Sequence, residues 1–288
     1  MRSPHGPDLP LQASTGRLPL LSNGWGAGLM LKFDKKTTEL LDNAYQGADI
    51  TRRRQASFHA LDPRPGETIV DVGCGNGLLT AELARAVGPE GCVIGVDPSE
   101  DMVAAGKDRC RDYECVEFRN GVADHLPVAD SSADKAVSVQ VFEYIDDIPA
   151  ALSDVMRCLK PGGRLVVGDL HFGSFIWASD DPKRMAEIKA SWDKHFVSGT
   201  VPEQLPSLLS SEGHIIEAIV PITLVDHVLK PDGIAIMMMH LMKQFAIEME
   251  HVEPEVAQAW FDEQLSLADE GRFFFSITHF VIVARKVA

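Results

Sequence analysis

A carboxylate followed by three glycines at alternate positions, Asp71-Val72-Gly73-Cys74-Gly75-Asn76-Gly77, is the stretch of this chain best suited to holding a ligand. Glycines let a backbone turn sharply and approach a bound molecule closely, and a helix starting directly after them turns free N–H groups to the same point. The dinucleotide fingerprint G-x-G-x-x-G would need a third glycine where Leu78 stands, so the spacing is wrong for NAD or FAD. A carboxylate at Asp71 would repel a pyrophosphate, whereas it suits a ligand carrying an ammonium group. A second acid, Asp97, comes twenty residues after Gly77. In doubly wound folds an acid at the end of the second strand takes the ribose hydroxyls of a nucleotide; the other role open to it is a helix N-cap before Ser99-Glu100-Asp101. Two histidines, His171 and His195, are candidates for proton removal near neutral pH.

The elements that must position these residues can be read from periodicity. Ile69 to Val72 is a short β-branched run, broken only by Asp71, after Pro65-Gly66, and Leu78 to Val87 is amphipathic, which predicts strand, glycine turn and helix. Two helices are expected ahead of it, Lys35 to Tyr45 and Ile50 to Leu61, broken at Gly47 and closed by Asp62-Pro63. Tyr45 could line the pocket, and Arg52-Arg53-Arg54 reads as a solvated face. Further strands are expected at Cys92 to Val96, Cys115 to Arg119, Lys135 to Val139 (delivering Gln140) and Arg164 to Gly168. A helix from Asp147 to Leu159 is broken at Lys160-Pro161-Gly162-Gly163. This alternation predicts an α/β fold with a parallel sheet covered on both faces and ligands beyond the carboxyl ends of the strands. After the fifth strand, the segment 171–206 reads as a cap with Ser179-Asp180-Asp181-Pro182 as a helix start and Leu205 to Ser211 as a short helix. A sixth strand follows at Ile215 to Val225. A second insertion, 231–269, holds two helical patterns begun by Pro231 and Pro254, and Phe273 to Arg285 is the last strand. Phe172, Phe175, Trp177, Trp192 and Phe196, like the run Met237, Met238, Met239 and Met242, serve either as the caps' own core or as walls around a substrate.

At 288 residues the chain is long enough for a full core, and one domain carrying insertions is expected. A net charge of −15 argues against nonspecific nucleic-acid binding and leaves no polybasic membrane anchor, so small molecules are the expected partners and no stable membrane insertion is foreseen. The five cysteines form no C-x-x-C pair and have no histidine at zinc-ligand spacing; they read as reduced, which places the protein in the cytoplasm, with no metal site. Residues 1–34 are expected to be a flexible leader, with a transit peptide as the alternative.

The glycine stretch resembles the first motif of class I S-adenosylmethionine-dependent methyltransferases. Residues 121–147, GVADHLPVADSSADKAVSVQVFEYIDD, resemble the third and fourth motifs of the small-molecule members of that family. LKPGGRLVVGD, 159–169, is similar to the lead into their fifth strand, and FFFSITHFVIVARK, 273–286, to their last. The resemblance spans about residues 35–286, with firm motifs from Ile69 to Asp169. It implies a Rossmann-like, doubly wound, mostly parallel seven-stranded sheet with an antiparallel last strand. It also implies S-adenosylmethionine as cofactor, held by Asp71, Gly73, Gly75, Asn76, Gly77 and Asp97, with Pro98 and Met102 bordering the adenine and Gln140 at the pocket mouth. Val122 departs from the family's usual Asp or Asn, which leaves the Ala123 amide and Asp124 to meet the adenine amino group. The activity implied is methyl transfer to a small hydrophobic acceptor. The histidine pair that many relatives carry after the fourth strand is replaced by Glu143-Tyr144, so His171 becomes the favoured base and His195 the second choice. The alternatives are a nicotinamide-dependent oxidoreductase, disfavoured by Leu78 and the lack of a Tyr-x-x-x-Lys dyad, and a cofactor-binding protein without catalysis.

Overall fold

Ile69 and Val70 point to opposite faces of the sheet and both are fully buried, because helices cover each face. In the computed structural model, which describes residues 46–287, β1 (Thr68–Val72) pairs with β2 (Cys92–Asp97) and β4 (Ala133–Val139). The expected leader and the expected helix Lys35–Tyr45, with Tyr45, lie outside the described residues. The remaining strands are β3 (Val116–Asn120), β5 (Leu159–Trp177), β6 (Ile215–Asp226) and β7 (Phe275–Arg285), giving one seven-stranded sheet in the order β3-β2-β1-β4-β5-β7-β6. β7 runs antiparallel between β5 and β6, and the other pairings are parallel. The chain order reverses between β1 and β4, so the loops leaving these two strands open a crevice at their carboxyl ends.

The helices, numbered from the first described, are α1 (Ala48–Leu61), α2 (Leu78–Val87), α3 (Glu100–Arg109), α4 (Ile148–Cys158), α5 (Pro182–Asp193), α6 (Val201–Ser211), α7 (Ile234–Glu248) and α8 (Pro254–Asp269). Aspartate side chains cap two of them. Asp147 accepts from the Ala150 amide and Asp181 from the Arg184 amide, and each helix has proline in its first turn, where the missing N–H costs nothing. Gly168 lets α1 cross β5 closely, since a Cβ there would meet Ser57 Oγ at 2.5 Å.

Three expectations are corrected. The segment from His171 does not leave the sheet at once: β5 continues to Trp177 and pairs again with β7 at Ile176–Ser276 and Trp177–Phe275 after a register shift. The aromatic rings explain the extension. Trp177 packs edge-on against Phe275 at 4.9 Å and Trp260 of α8 at 5.4 Å, so leaving the sheet would expose them. Pro231 does not begin a helix; α7 starts at Ile234 behind Gly233. Arg53 is not on a solvated face. It is buried on α1 with Ile50, Ser57 and Leu61, at the spacing of a single helical stripe.

The helices α5, α7 and α8 and the end of β5 share one core, in which Trp260, Met239, Met242 and Phe275 are fully enclosed. This unit stands over the crevice. Among the described residues no helix is long and apolar enough to cross a membrane.

Candidate active site

Each glycine of the turn after β1 has a different task. All three take positive φ, 68° at Gly73, 52° at Gly75 and 76° at Gly77, a region costly for other residues. A Cβ on Gly73 would fall 2.2 Å from Val141 Cγ2, so this glycine lets the turn press against the chain leaving β4. One on Gly77 would lie 3.1 Å from both Gly106 Cα and Phe118 Cζ; that glycine serves the packing of α2 on α3 and β3. One on Gly75 would meet nothing within 4 Å, so this glycine presents backbone to open space.

Two buried carboxylates brace the turn. The Thr80 hydroxyl donates to Asp71 Oδ2 at 2.6 Å, and burial, only partly offset by that bond and reinforced by Asp97, raises Asp71 to about 7. Asp97 accepts the Gly75 amide on Oδ2 and the Ser99 amide on Oδ1, both at 2.9 Å, while burial raises its pKa despite these bonds. Asp97 is not the N-cap of α3. Ser99 is, accepting from the Met102 amide at 3.3 Å. The loop after β3 is fastened beside Asp97: Asn120 Nδ2 donates to the Pro98 carbonyl at 2.8 Å, and the Gly121 amide donates to the Asp97 carbonyl at 3.2 Å. Pro98, Met102, Ala123 and Asp124, all half-buried, lie on these two segments.

A cavity of about 200 Å³ opens from the other side of the turn. Asp71, Gly73, Gly75, Asn76, Gln140 and His195 line it; Gly77, Asp97, Pro98, Met102, Ala123 and Asp124 do not, and neither does His171. His171 Nε2 lies 2.6 Å from Glu203 Oε1 of α6, and its ring stands edge-on to Phe280. Its neighbours Leu170 and Phe172 both line the cavity, as a strand's alternation requires when His171 faces the other way. His195 stacks on Trp192 at 4.5 Å with its Nε2 3.5 Å from the Tyr144 hydroxyl, and burial lowers its pKa to about 4. Its imidazole is therefore neutral at neutral pH.

The lining also holds residues that the sequence reading had not assigned to a site: Arg53, Glu143, Tyr144 and Leu241 among them. Gln140 joins two of these. It adopts a left-handed backbone, φ 61°, held by its amide donating to the Gly168 carbonyl at 2.9 Å. Its side chain then accepts from Arg53 on Oε1 and donates through Nε2 to both oxygens of Glu143, at 2.7 and 2.8 Å. Glu143 is buried, and burial together with the neighbouring Asp169 lifts its pKa well above the carboxylate range. The signal for Arg53 was its place on the Ile50–Ser57–Leu61 stripe. For Glu143 periodicity gave none, since it sits in a three-residue 3-10 turn; the signal was its place where many relatives carry a histidine pair.

The site therefore joins a nucleotide-type turn, buried carboxylates and a largely apolar wall. The residues present fit S-adenosylmethionine: an open glycine backbone, an acid beside it for a cationic group, and a second acid with lone pairs to spare for hydroxyls.

Comparison with known proteins agrees. Residues 70–167 match the family described as a methyltransferase domain. An uncharacterized 37.1 kDa protein in transposon TN4556 of Streptomyces fradiae is 32% identical over 239 residues, 81% of this chain and 66% of that protein. A demethylmenaquinone methyltransferase of Symbiobacterium thermophilum is 37% identical over 125 residues, 40% of this chain and 50% of that one. The chain thus spans between half and two thirds of these relatives. The crystal structure of the YcgJ protein of Bacillus subtilis shares the fold with a TM-score of 0.56 at 19% identity, covering 83% of this chain and 99% of that one. The match runs from the centre of β1 into β5 of this sheet, so the chain carries a methyltransferase domain of the class I, S-adenosylmethionine-dependent kind.

Proposed function

We propose that this protein transfers a methyl group from S-adenosylmethionine to a small, hydrophobic acceptor by in-line displacement. One observation carries the reading: the cavity that begins at Gly73, Gly75 and Asn76 is walled on its far side by Phe172, Trp192, Phe196, Met237, Met238 and Leu241. A donor site and an apolar acceptor site share one enclosure, which is what alignment of acceptor and methyl requires. The cofactor supplies an electrophilic methyl group. The chain's own part is to bind, orient and exclude water. Asp71, Gly73, Gly75, Asn76 and Gln140 would hold the cofactor from the cavity side. Asp97, Pro98, Met102, Ala123 and Asp124 would hold it where the ends of β2 and β3 are tied together. Gly77 acts indirectly by seating α2. His195 lies on the acceptor side, where its neutral imidazole can accept a hydrogen bond. The relative from Symbiobacterium thermophilum is named for demethylmenaquinone, and an acceptor of that apolar kind suits this wall. A cytoplasmic location belongs to the same proposal, supported by five cysteines that are all free.

Mass spectrometry of the purified protein for bound S-adenosylmethionine or its demethylated product tests the cofactor directly. Calorimetry should then give micromolar affinity for S-adenosylmethionine and no measurable heat with NAD. Binding of NAD with S-adenosylmethionine ignored would end the proposal. A labelled-methyl screen of cell extract identifies the acceptor.

A further inference from the structure

Glu143 is a fully enclosed carboxyl group that lines the cavity between the glycine turn and the apolar wall. The turn and Glu143 are neighbours by construction: Gly73 packs against Val141, two residues before Glu143 on the chain leaving β4. The groups facing it can be named. Arg53 comes from α1 through Gln140, Asp169 from the end of β5, and Tyr144 from beside it, with His195 beyond the Tyr144 hydroxyl. Asp169 does not line the cavity; burial raises it to about 7 although its Oδ1 accepts the Val141 amide at 3.0 Å and further amides of the same turn favour its ionised form. The Glu143 oxygens accept from Gln140 Nε2 and from the Tyr144 hydroxyl, which leaves lone pairs on the carboxylate for a further donor.

We propose that Glu143 is the general base of this site, giving up its proton when a sulfonium docks at the glycine turn and then taking the proton of an aromatic hydroxyl acceptor. The inference rests on the methyltransferase reading above. Without a cation nearby, burial and Asp169 favour the protonated form of Glu143 against the opposing pull of Gln140, Arg53 and Tyr144. A positive charge in the cavity favours the carboxylate and releases that proton to solvent. During transfer the acceptor's O–H bond breaks and its proton passes to Glu143. The oxygen's electron pair forms the new bond to the methyl carbon, while the pair of the broken sulfur–carbon bond stays on sulfur as a neutral thioether. Glu143 ends protonated beside a neutral product, the state in which the cavity began. The acceptor class follows from the walls: Phe172 and Phe196 are stacked at 4.1 Å and leave flat apolar faces suited to a ring, and a ring hydroxyl is acidic enough for a carboxylate of raised pKa to deprotonate.

The first test needs no acceptor. Calorimetry of the parent protein in buffers of different ionisation enthalpy counts the protons released on binding S-adenosylmethionine and S-adenosylhomocysteine. Both carry the same amino and carboxyl groups, so the difference reports the sulfonium alone. The expected result is a greater release with S-adenosylmethionine, by up to roughly one proton. In Glu143→Gln, an uncharged near-isostere of the protonated form, that difference should vanish. The second test compares a naphthol with a nitrophenol assayed where it is already a phenolate. Glu143→Gln should lose transfer to the naphthol by roughly 10²–10⁴-fold and keep transfer to the phenolate within a few-fold. Equal proton counts for the two ligands in the parent would overturn the proposal, and so would equal loss on both acceptors, which would mark Glu143 as a positioning residue. A parent that binds S-adenosylmethionine but methylates neither probe would refute the acceptor class. A parent that fails to bind it would remove the methyltransferase reading itself.

Discussion

Asp97 Oδ2 accepts the backbone amide of Gly75 at 2.9 Å, so the carboxylate ending β2 supports the turn that ends β1. Asp97→Ala should therefore remove the turn's brace together with the proposed ribose hydrogen bonds. Affinity for S-adenosylmethionine is expected to fall by at least about 2–4 kcal/mol, roughly 30- to 1,000-fold, with cooperative unfolding preserved. Calorimetry beside a thermal melt checks this; unchanged affinity would mean that neither a ribose contact of Asp97 nor its brace on the turn matters for binding.

Gly73 and Val141 make a second pair suited to a double-mutant cycle. Gly73→Ala places a methyl group 2.2 Å from Val141 Cγ2 and also forces alanine to φ 68°, so a loss of about 2–4 kcal/mol in urea unfolding is expected. Val141→Ala in the same chain should restore the steric part and leave the roughly 1 kcal/mol backbone cost. Additive effects of the two substitutions would show that the contact is unimportant.

His195 predicts an acid sensitivity. Burial lowers its pKa from 6.5 to about 4 in the folded protein, so between these values the unfolded chain binds the proton more readily. Stability is thus present above pH 6.5 and is lost as pH falls toward 4, by up to about 3 kcal/mol from this group. The buried His279 acts in the same direction. In His195→Phe the fall in unfolding free energy over this window should be smaller than in the parent; an identical slope would show that His195 does not contribute.

His171→Gln should leave methyl transfer to the naphthol probe within a few-fold of the parent. The ring points away from the cavity and bonds Glu203, whose side chain is 64% exposed, so the stability cost should stay below about 1 kcal/mol. A drop in turnover of a hundredfold or more would return His171 to the candidate bases.

The sequence by itself determined what depends on neighbours along the chain. The strand, turn and helix from Thr68 to Val87, Asp97 at the end of β2, the proline-started helices at Pro182 and Pro254 and the alternating order of elements follow from local backbone chemistry and periodicity. The tertiary structure decided which buried face looks into the cavity. Periodicity shows that a residue is enclosed, and is silent about what encloses it. Trp177 and Trp192 have the same aromatic character, yet one packs in the core of the cap and the other lines the cavity. Met237 and Met238 reach the cavity, while Met239 and Met242 stay in the core. His171 is flanked on both sides by cavity residues, and only the pleat of β5 turns it away. The grouping of Arg53, Gln140, Glu143 and Asp169 lies furthest from anything the chain shows locally, because α1, the turn after β4 and the end of β5 contribute it jointly. Desolvation at that junction sets the protonation of its carboxylates, and burial of this kind exists only once the chain has closed around them.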